Sequence, residues 1–349
     1  MLAVRLDSAG DVLLAGPALR AAAYTSDEVV LLASPLGADA GRLLPGVDDV
    51  IEWTCPWITA DPAPVDAADV EELVDLLRRR RFDSALIFTS FHQSPLPTAL
   101  VLRLAEVPWV GAISVDYPGS LLDLRHGVDD DIPEAERALS LARAAGLTLP
   151  PGDDGALRVR QPLPDVCHLV GSGPYVVLHP GTSVPARAWP ASRFAETCAR
   201  LTGSGRRVVV TGAPSERALT AQVTAGTRAV DLGGATSLPE LAAVLAGAES
   251  VVVGNTGPAH LTAAVGTPVV SLFAPTVPTV RWAPYGVPYA LLGDQQAACL
   301  DTRATTCPVP GHPCLTSVTP HDVVEALEAL TQQVTVVRQG RPRGKEMVQ

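Results

Sequence analysis

Apolar and polar residues fall into two alternating patterns along this chain. Short runs rich in valine and leucine are followed by longer stretches whose apolar residues recur at helical spacing. Residues 2–6, 29–33, 50–53, 84–89 and 110–114 read as strands. Between them the spacing predicts a helix carrying Val12, Leu13, Ala15, Leu19 and Ala22, a short one over 35–44, and another over 95–105. An amphipathic helix spans 65–80, with Val70, Leu73, Val74 and Leu77 inward and arginines outward. Residues 117–133 lose periodicity and read as a loop containing Arg125 and His126, with a helix from Pro133 to Ala145. Residues 147–174 are rich in proline and glycine and resemble an interdomain linker. The alternation then resumes: strands at 175–178, 207–211, 230–232, 251–253 and 269–273, helices at 190–202, 215–225 and 320–333, and an apolar segment at 238–245. This order predicts two α/β halves, each a doubly wound parallel sheet. The expected domains are residues 1–165 and 166–338, followed by a disordered tail at 339–349.

One stretch, residues 251–275, combines the features most useful for chemistry. Val251, Val252 and Val253 form a fully apolar strand, Gly254 to Gly257 a small polar turn, and Pro258 opens a helix. Asn255 and Thr256 suit the helix N-cap. Such a turn offers backbone N–H groups and the positive end of a helix dipole to an anion. It reads either as a phosphate-binding turn or as an ordinary βα connection.

Composition narrows the field. The chain has 349 residues, 47% of them hydrophobic and 18% charged, as expected of a globular protein with more than one core. Its formal charge of −11 disfavours a broad nucleic-acid surface but leaves room for one anionic ligand in a local pocket. No apolar window is long enough to span a membrane and no secretory leader opens the sequence. The expectation is a cytoplasmic protein, with at most peripheral association at the inner membrane face. Cys299, Cys307, His312 and Cys314 lie close together but lack a C-x-x-C knuckle, so a zinc site is the weaker reading. The pattern Asp129-Asp130-Asp131 invites a metal reading too, against an acidic loop ahead of a helix. No cofactor is expected.

Open α/β sheets bind ligands at the carboxyl ends of their strands. Three loops of the second half fall there: residues 179–190, 212–216 and 254–257. Arg187 offers a two-pronged grip on phosphate oxygens, Glu216 an acceptor for ribose hydroxyls, and His179 a ring beside the glycine loop. A nucleoside diphosphate fits these parts. The G-x-G-x-x-G fingerprint is missing after the first strand, which weighs against an NAD-dependent enzyme. In the first half Asp11 sits at a helix start. It reads as a partner of the helix dipole or as a general base.

Four segments in order, VRLDSAGDVLLAGPALRA (4–21), VVLHPGTSVPARAWPASRFAE (176–196), VVTGAPSERAL (209–219) and VVVGNTGPAHLTAAVGTPVVSLFAPT (251–276), resemble the heptosyltransferase-like glycosyltransferases of family 9. The resemblance implies two Rossmann-like domains of the GT-B type facing a cleft, with acceptor bound mainly by the first and nucleotide-sugar by the second. It implies inverting transfer without a metal, and a donor linked to ADP or GDP. The acceptor it implies is a glycan, a lipid-linked glycan or a small molecule. By position, Asp11 matches the catalytic base, and Ser8 and Gly10 beside it are taken with the acceptor side; Arg125 and His126, outside the matching segments, read from their loop as contacts for an anionic acceptor. His179, Gly181, Thr182, Arg187, Glu216, Asn255, Thr256, Gly257 and His260 match the donor side. Arg187 stands where the family usually has lysine, and Asn255 where it generally has aspartate. A nucleotide-sugar epimerase and a non-catalytic nucleotide-binding protein remain as alternatives.

Overall fold

The computed structural model describes residues 1–59, 61–128 and 131–340, with only the backbone for 333–340. Asp129, Asp130 and the expected tail from 341 onward lie outside the described residues. Two compact units are present: Met1–Leu163 with Val280–Tyr285, and Pro164–Thr279 with Gly286 onward.

The first unit runs β1 (Leu2–Arg5), α1 (Ala9–Leu14), α2 (Gly16–Thr25), β2 (Val30–Ala33), α3 (Pro35–Leu43), β3 (Asp49–Glu52), α4 (Ala67–Arg80), β4 (Ser84–Ile87), α5 (Leu96–Leu104), β5 (Trp109–Ile113), β6 (Leu124–His126) and α6 (Glu134–Ala144). The second runs α7 (Cys167–Val170), β7 (Val176–His179), α8 (Ala191–Gly203), β8 (Val208–Gly212), α9 (Arg217–Thr224), β9 (Val230–Gly233), α10 (Leu238–Ala246), β10 (Ser250–Gly254), α11 (Gly257–Ala264) and β11 (Val269–Leu272). It continues through α12 (Thr279–Trp282), whose last residues pack with the first unit, to β12 (Tyr289–Leu292), α13 (Pro313–Thr316) and α14 (Pro320–Gly340).

Both sheets are wholly parallel and share one topology. Their strand orders are β3-β2-β1-β4-β5-β6 and β12-β11-β10-β7-β8-β9. In each, the first strand of the unit lies beside the fourth. The strand order reverses there, so the connections on either side leave toward opposite faces and open a crevice at the strand ends. Central strands are buried on both faces, which is why β10 and β7 read as unbroken apolar runs.

Three details depart from the expected elements. The single helix after β1 is two, α1 and α2, because Pro17 has no N–H to continue the ladder past Ala15. Arg125 and His126 are in a strand, not a loop: β6 pairs with β5 in the register Gly111↔Leu124, Ala112↔Arg125 and Ile113↔His126. Such a short polar edge strand has no apolar alternation to announce it. The edge strand β12, four residues long and partly exposed, also went unpredicted, since its short run Tyr-Ala-Leu-Leu has no alternation to set it apart from the surrounding loop.

The proline-rich stretch after α6 is bonded into the first unit. Arg20 donates from Nε and Nη2 to the two carboxylate oxygens of Asp153 (2.7 and 2.9 Å) and also reaches the Ala156 carbonyl. Arg160 donates to the Leu43 and Leu44 carbonyls. Hydrogen bonding from Arg20 holds the Asp153 carboxyl down to about 2. A depressed carboxylate stabilises the fold above its unfolded value, and that contribution is lost as pH falls through the folded one. We expect Asp153→Asn to cost about 2 kcal/mol near neutrality. In urea melts the gap to wild type should close between about pH 4 and about pH 2.

Candidate functional site

At the reversal point of the first sheet, β1 ends in a buried arginine. Arg5 is 3% exposed and binds two carboxylates with different nitrogens. Its Nε lies 2.8 Å from Asp7 Oδ2, and its Nη2 donates to Asp11 Oδ1 at 3.2 Å and to Ser90 Oγ at 2.9 Å. Ser8, the N-cap of α1, turns its hydroxyl to Asp11 Oδ2 at 2.7 Å. Asp11 thus stands in the first turn of α1, where the helix dipole favours an anion, with its side chain 18% exposed. Gly10 is buried beneath it.

Around this pair lie further charges. Gln93, from the loop after β4, donates to Asp7 Oδ1. Glu134 opens α6, fully buried near Arg137, whose guanidinium donates to the Thr89 carbonyl. Arg281 stacks 3.8 Å over the Phe91 ring. Burial raises the Asp7 carboxyl, with Asp11 adding to the rise and Arg5 opposing it. Burial likewise raises Glu134 against Arg5 and Arg137. Burial works against the charge of Arg5, yet Asp7, Asp11 and Glu134 outweigh it and hold the guanidinium above its ordinary value. The buried arginine at the end of β1 was not singled out from sequence. Its signal was there: one cation inside an otherwise apolar strand.

The second sheet has its own crevice at the reversal between β7 and β10. A cavity of about 350 Å³ opens there, lined by His179, Gly181 and Thr182 after β7, Glu216 after β8, and Thr256 and Gly257 at the start of α11. Six of the expected donor-side residues therefore converge. Thr236, Ser237, Leu238 and Leu241 complete the wall. These were missed, although Ser237 and Glu240 form a capping box that marks the start of α10.

Each of these side chains has a local reason for its position. His179 is buried, its Nδ1 2.9 Å from Thr211 Oγ1, and burial drops its pKa to about 4, so the ring is neutral near pH 7. Glu216 Oε2 accepts from the Ala213 N–H at 2.7 Å. A Cβ on Gly181 would occupy the space of that carboxylate, and one on Gly212 would come within 3.2 Å of it. Gly257 supplies a first-turn N–H, which no helix satisfies internally. His260 is buried one turn further along α11.

Arg187 ends a 3₁₀ turn, Pro185–Arg187, and its Nη1 donates to the Asn255 carbonyl at 3.3 Å. Ala186 braces that turn from both sides: its N–H donates to Thr305 O, and its carbonyl accepts from His312 Nε2 at 3.0 Å. The Asn255 side chain is buried and spans the Ala274 peptide groups, accepting from N–H (3.4 Å) and donating to C=O (3.5 Å). An aspartate there could make only the first of these bonds.

The structure does not bring Arg125 and His126 to Asp11. Their strand, β6, is three strands from β1, roughly 14 Å across the sheet. Arg125 donates to the Ser114 and Val115 carbonyls, and His126 Nε2 meets Ser140 Oγ at 3.1 Å. Cys299 and Cys314 are buried, and burial with Cys299 alongside pushes the Cys314 thiol up to about 12. Among the described residues, no three His, Cys, Asp or Glu side chains are grouped to hold a metal ion. No helix among them is long and apolar enough to cross a membrane.

A family model described as glycosyltransferase family 9 (heptosyltransferase) matches residues 70–312. The chain belongs to glycosyltransferase family 9. Among curated relatives, lipopolysaccharide heptosyltransferase 1 of Salmonella typhimurium is 37% identical over 113 residues, 32% of this chain and 36% of that protein. Lipopolysaccharide heptosyltransferase 2 of Escherichia coli is 25% identical over 237 residues, 58% of this chain and 62% of that one. The matches thus span about a third to under two thirds of these relatives' length. Solved structures extend the likeness in fold to both units. E. coli ADP-heptose LPS heptosyltransferase II has a TM-score of 0.72 at 19% identity, covering 96% of this chain and 99% of that one. An E. coli heptosyltransferase with ADP-2-deoxy-2-fluoro heptose gives 0.70 at 23% identity, covering 94% and 98%. The fold is of the GT-B type, as the sequence resemblance implied.

The packing of Glu216 between two glycines yields a test. We expect Gly181→Ala to displace the carboxylate and destabilise the second unit by about 1–3 kcal/mol. Adding Glu216→Ala to the same chain should recover most of that loss in thermal melts.

Proposed function

We propose that this protein is a family 9 glycosyltransferase that moves a heptose or related sugar from a nucleoside diphosphate to an acceptor hydroxyl, with inversion and without a metal. The observation that carries the reading is the cavity at the β7/β10 reversal, glycine-lined and rimmed by helix starts, in a chain of this family. Its volume of about 350 Å³ lies within the usual range for small-ligand sites.

In this reading the diphosphate lies against the Gly257 N–H and the start of α11, with Arg187 close by to meet its charge. Glu216 accepts from ribose hydroxyls. The acceptor oxygen attacks the anomeric carbon and forms the new C–O bond. Its proton passes to Asp11, and the bond from anomeric carbon to diphosphate breaks with its electron pair leaving on the phosphate oxygen. Preorganised donors at the leaving group favour this charge movement. The role of Asp11 is supported by its resemblance to the family's base and by its hydrogen bonds from Ser8 and Arg5; it precedes the segment that the family model matches. The relatives named for lipopolysaccharide, and those solved with ADP or an ADP-sugar, favour ADP as the nucleotide and a lipid-linked glycan as acceptor.

The test has two arms. Thermal shift with ADP, GDP, UDP and dTDP should rank ADP first, since binding to the folded state raises its stability with affinity. With ADP-heptose and a lipopolysaccharide core lacking heptose, Asp11→Ala should lower transfer by about 10²–10⁴-fold while leaving ADP affinity nearly unchanged. Turnover should persist in excess chelator. Transfer by Asp11→Ala at the wild-type rate, or no response to any nucleotide, refutes the assignment.

A further inference from the structure

Arg5 carries two carboxylates on one buried guanidinium, and the transfer reaction disturbs only one of them. Asp11 is bound through Nη2 at 3.2 Å, Asp7 through Nε at 2.8 Å. A guanidinium so enclosed is strongly disfavoured without a counter-ion. When Asp11 accepts the acceptor's proton it becomes neutral, and the ion pair on that side of Arg5 is lost. Were Asp11 the only partner, each proton transfer would strip a buried cation of its charge balance. That cost would fall on the protonated state and so on the transfer itself.

We propose that Asp7 is a positioning residue for this step: it keeps Arg5 paired while Asp11 is protonated, and its own negative charge favours arrival of that proton. The inference rests on the transferase reading with Asp11 as base. Asp7 is suited to the task by its surroundings. It is nearly buried, its second oxygen is held by Gln93, and Gln93 is itself fixed by the Ser90 N–H donating to its side-chain carbonyl. Ser90 also accepts from Arg5, so the loop after β4 locks guanidinium and carboxylate together.

The charged and titratable groups facing this pair come from several elements. Arg5 and Asp11 belong to β1 and α1, and Cys55, after β3, senses the charge of Asp7. Glu134 from α6 acts on Arg5 and Asp11, and is itself balanced by Arg137 and Arg281. Glu134 is therefore shared among three arginines and does not replace Asp7 at Arg5.

The expected effect follows in sign. A base works when deprotonated, so its rate rises through an acid limb. Removing the neighbouring negative charge disfavours the protonated form and moves that limb to lower pH. For Asp7→Asn and Asp7→Ser we expect the acid limb of kcat/KM to move down by about one unit and the plateau to fall about threefold to tenfold. Asp7→Glu, which restores the charge, should return the limb toward wild type. The assay is ADP release from ADP-heptose with the heptose-lacking lipopolysaccharide core, run beside Asp11→Ala and with ADP affinity measured for each variant. An unmoved limb in both uncharged variants overturns the inference, as does failure of both to fold, which would make Asp7 a purely structural anchor. If Asp11→Ala turns over normally, it is the transferase reading that fails.

Discussion

A parallel sheet whose strand order reverses must part its connections at one place, and both units of this protein are built around that constraint. At β1/β4 and again at β7/β10 the neighbouring loops leave toward opposite faces. The backbone at the strand ends is left without a covering helix, so polar groups can stand there without unravelling the core. The Arg5 charge cluster and the glycine-lined cavity gather at these two places. The strands on either side are buried on both faces and frame the crevices.

The two crevices solve the problem of exposed polarity in different ways. That of the second unit is nearly free of charge. His179 is neutral near pH 7 because burial lowers its pKa to about 4, and apart from Glu216 the wall is small, hydroxyl-bearing or apolar, with glycine, threonine, serine, proline and leucine. Glu216 is admitted only because Gly181 and Gly212 have no side chains. Such a surface suits a ligand that brings its own charge and takes backbone donors in return. The first unit does the opposite: Arg5, Asp7, Asp11, Glu134 and Arg137 form a dense set of opposite charges. No member can be neutralised without altering the balance on its neighbours, which makes the set responsive to a single proton.

How much of this could be read from sequence depends on whether a signal is local. The central strands and the α11 start were legible because three valines followed by Gly-Asn-Thr-Gly-Pro leave few other conformations. Asp11 was legible as an acid at a helix start, but its companions were not. Arg5, Ser90, Gln93 and Glu134 come from separate elements, and only the strand order brings them together. The edge strands β6 and β12 were missed because their residues are held by pairing rather than by an apolar alternation. Arg125 and His126 looked like acceptor contacts because a loop assignment left their side chains unclaimed. Once in β6, Arg125 spends its donors on two carbonyls.

Asn255 shows how such structural demands reach into chemistry. Its side chain spans the N–H and C=O of Ala274 at the end of β11, while its own carbonyl accepts from Arg187. One residue therefore ties the β10 turn both to the next strand and to the arginine that would face a phosphate. A carboxylate at this position would keep one oxygen on the Ala274 N–H but set the other against the Ala274 carbonyl with no proton between them, and the buried repulsion would act on the same turn that starts α11. It would also place an anion under Arg187 and draw that guanidinium's charge away from a ligand. The amide avoids both effects, so the order of the β10 turn and the charge Arg187 has left to offer a ligand rest on the same uncharged side chain.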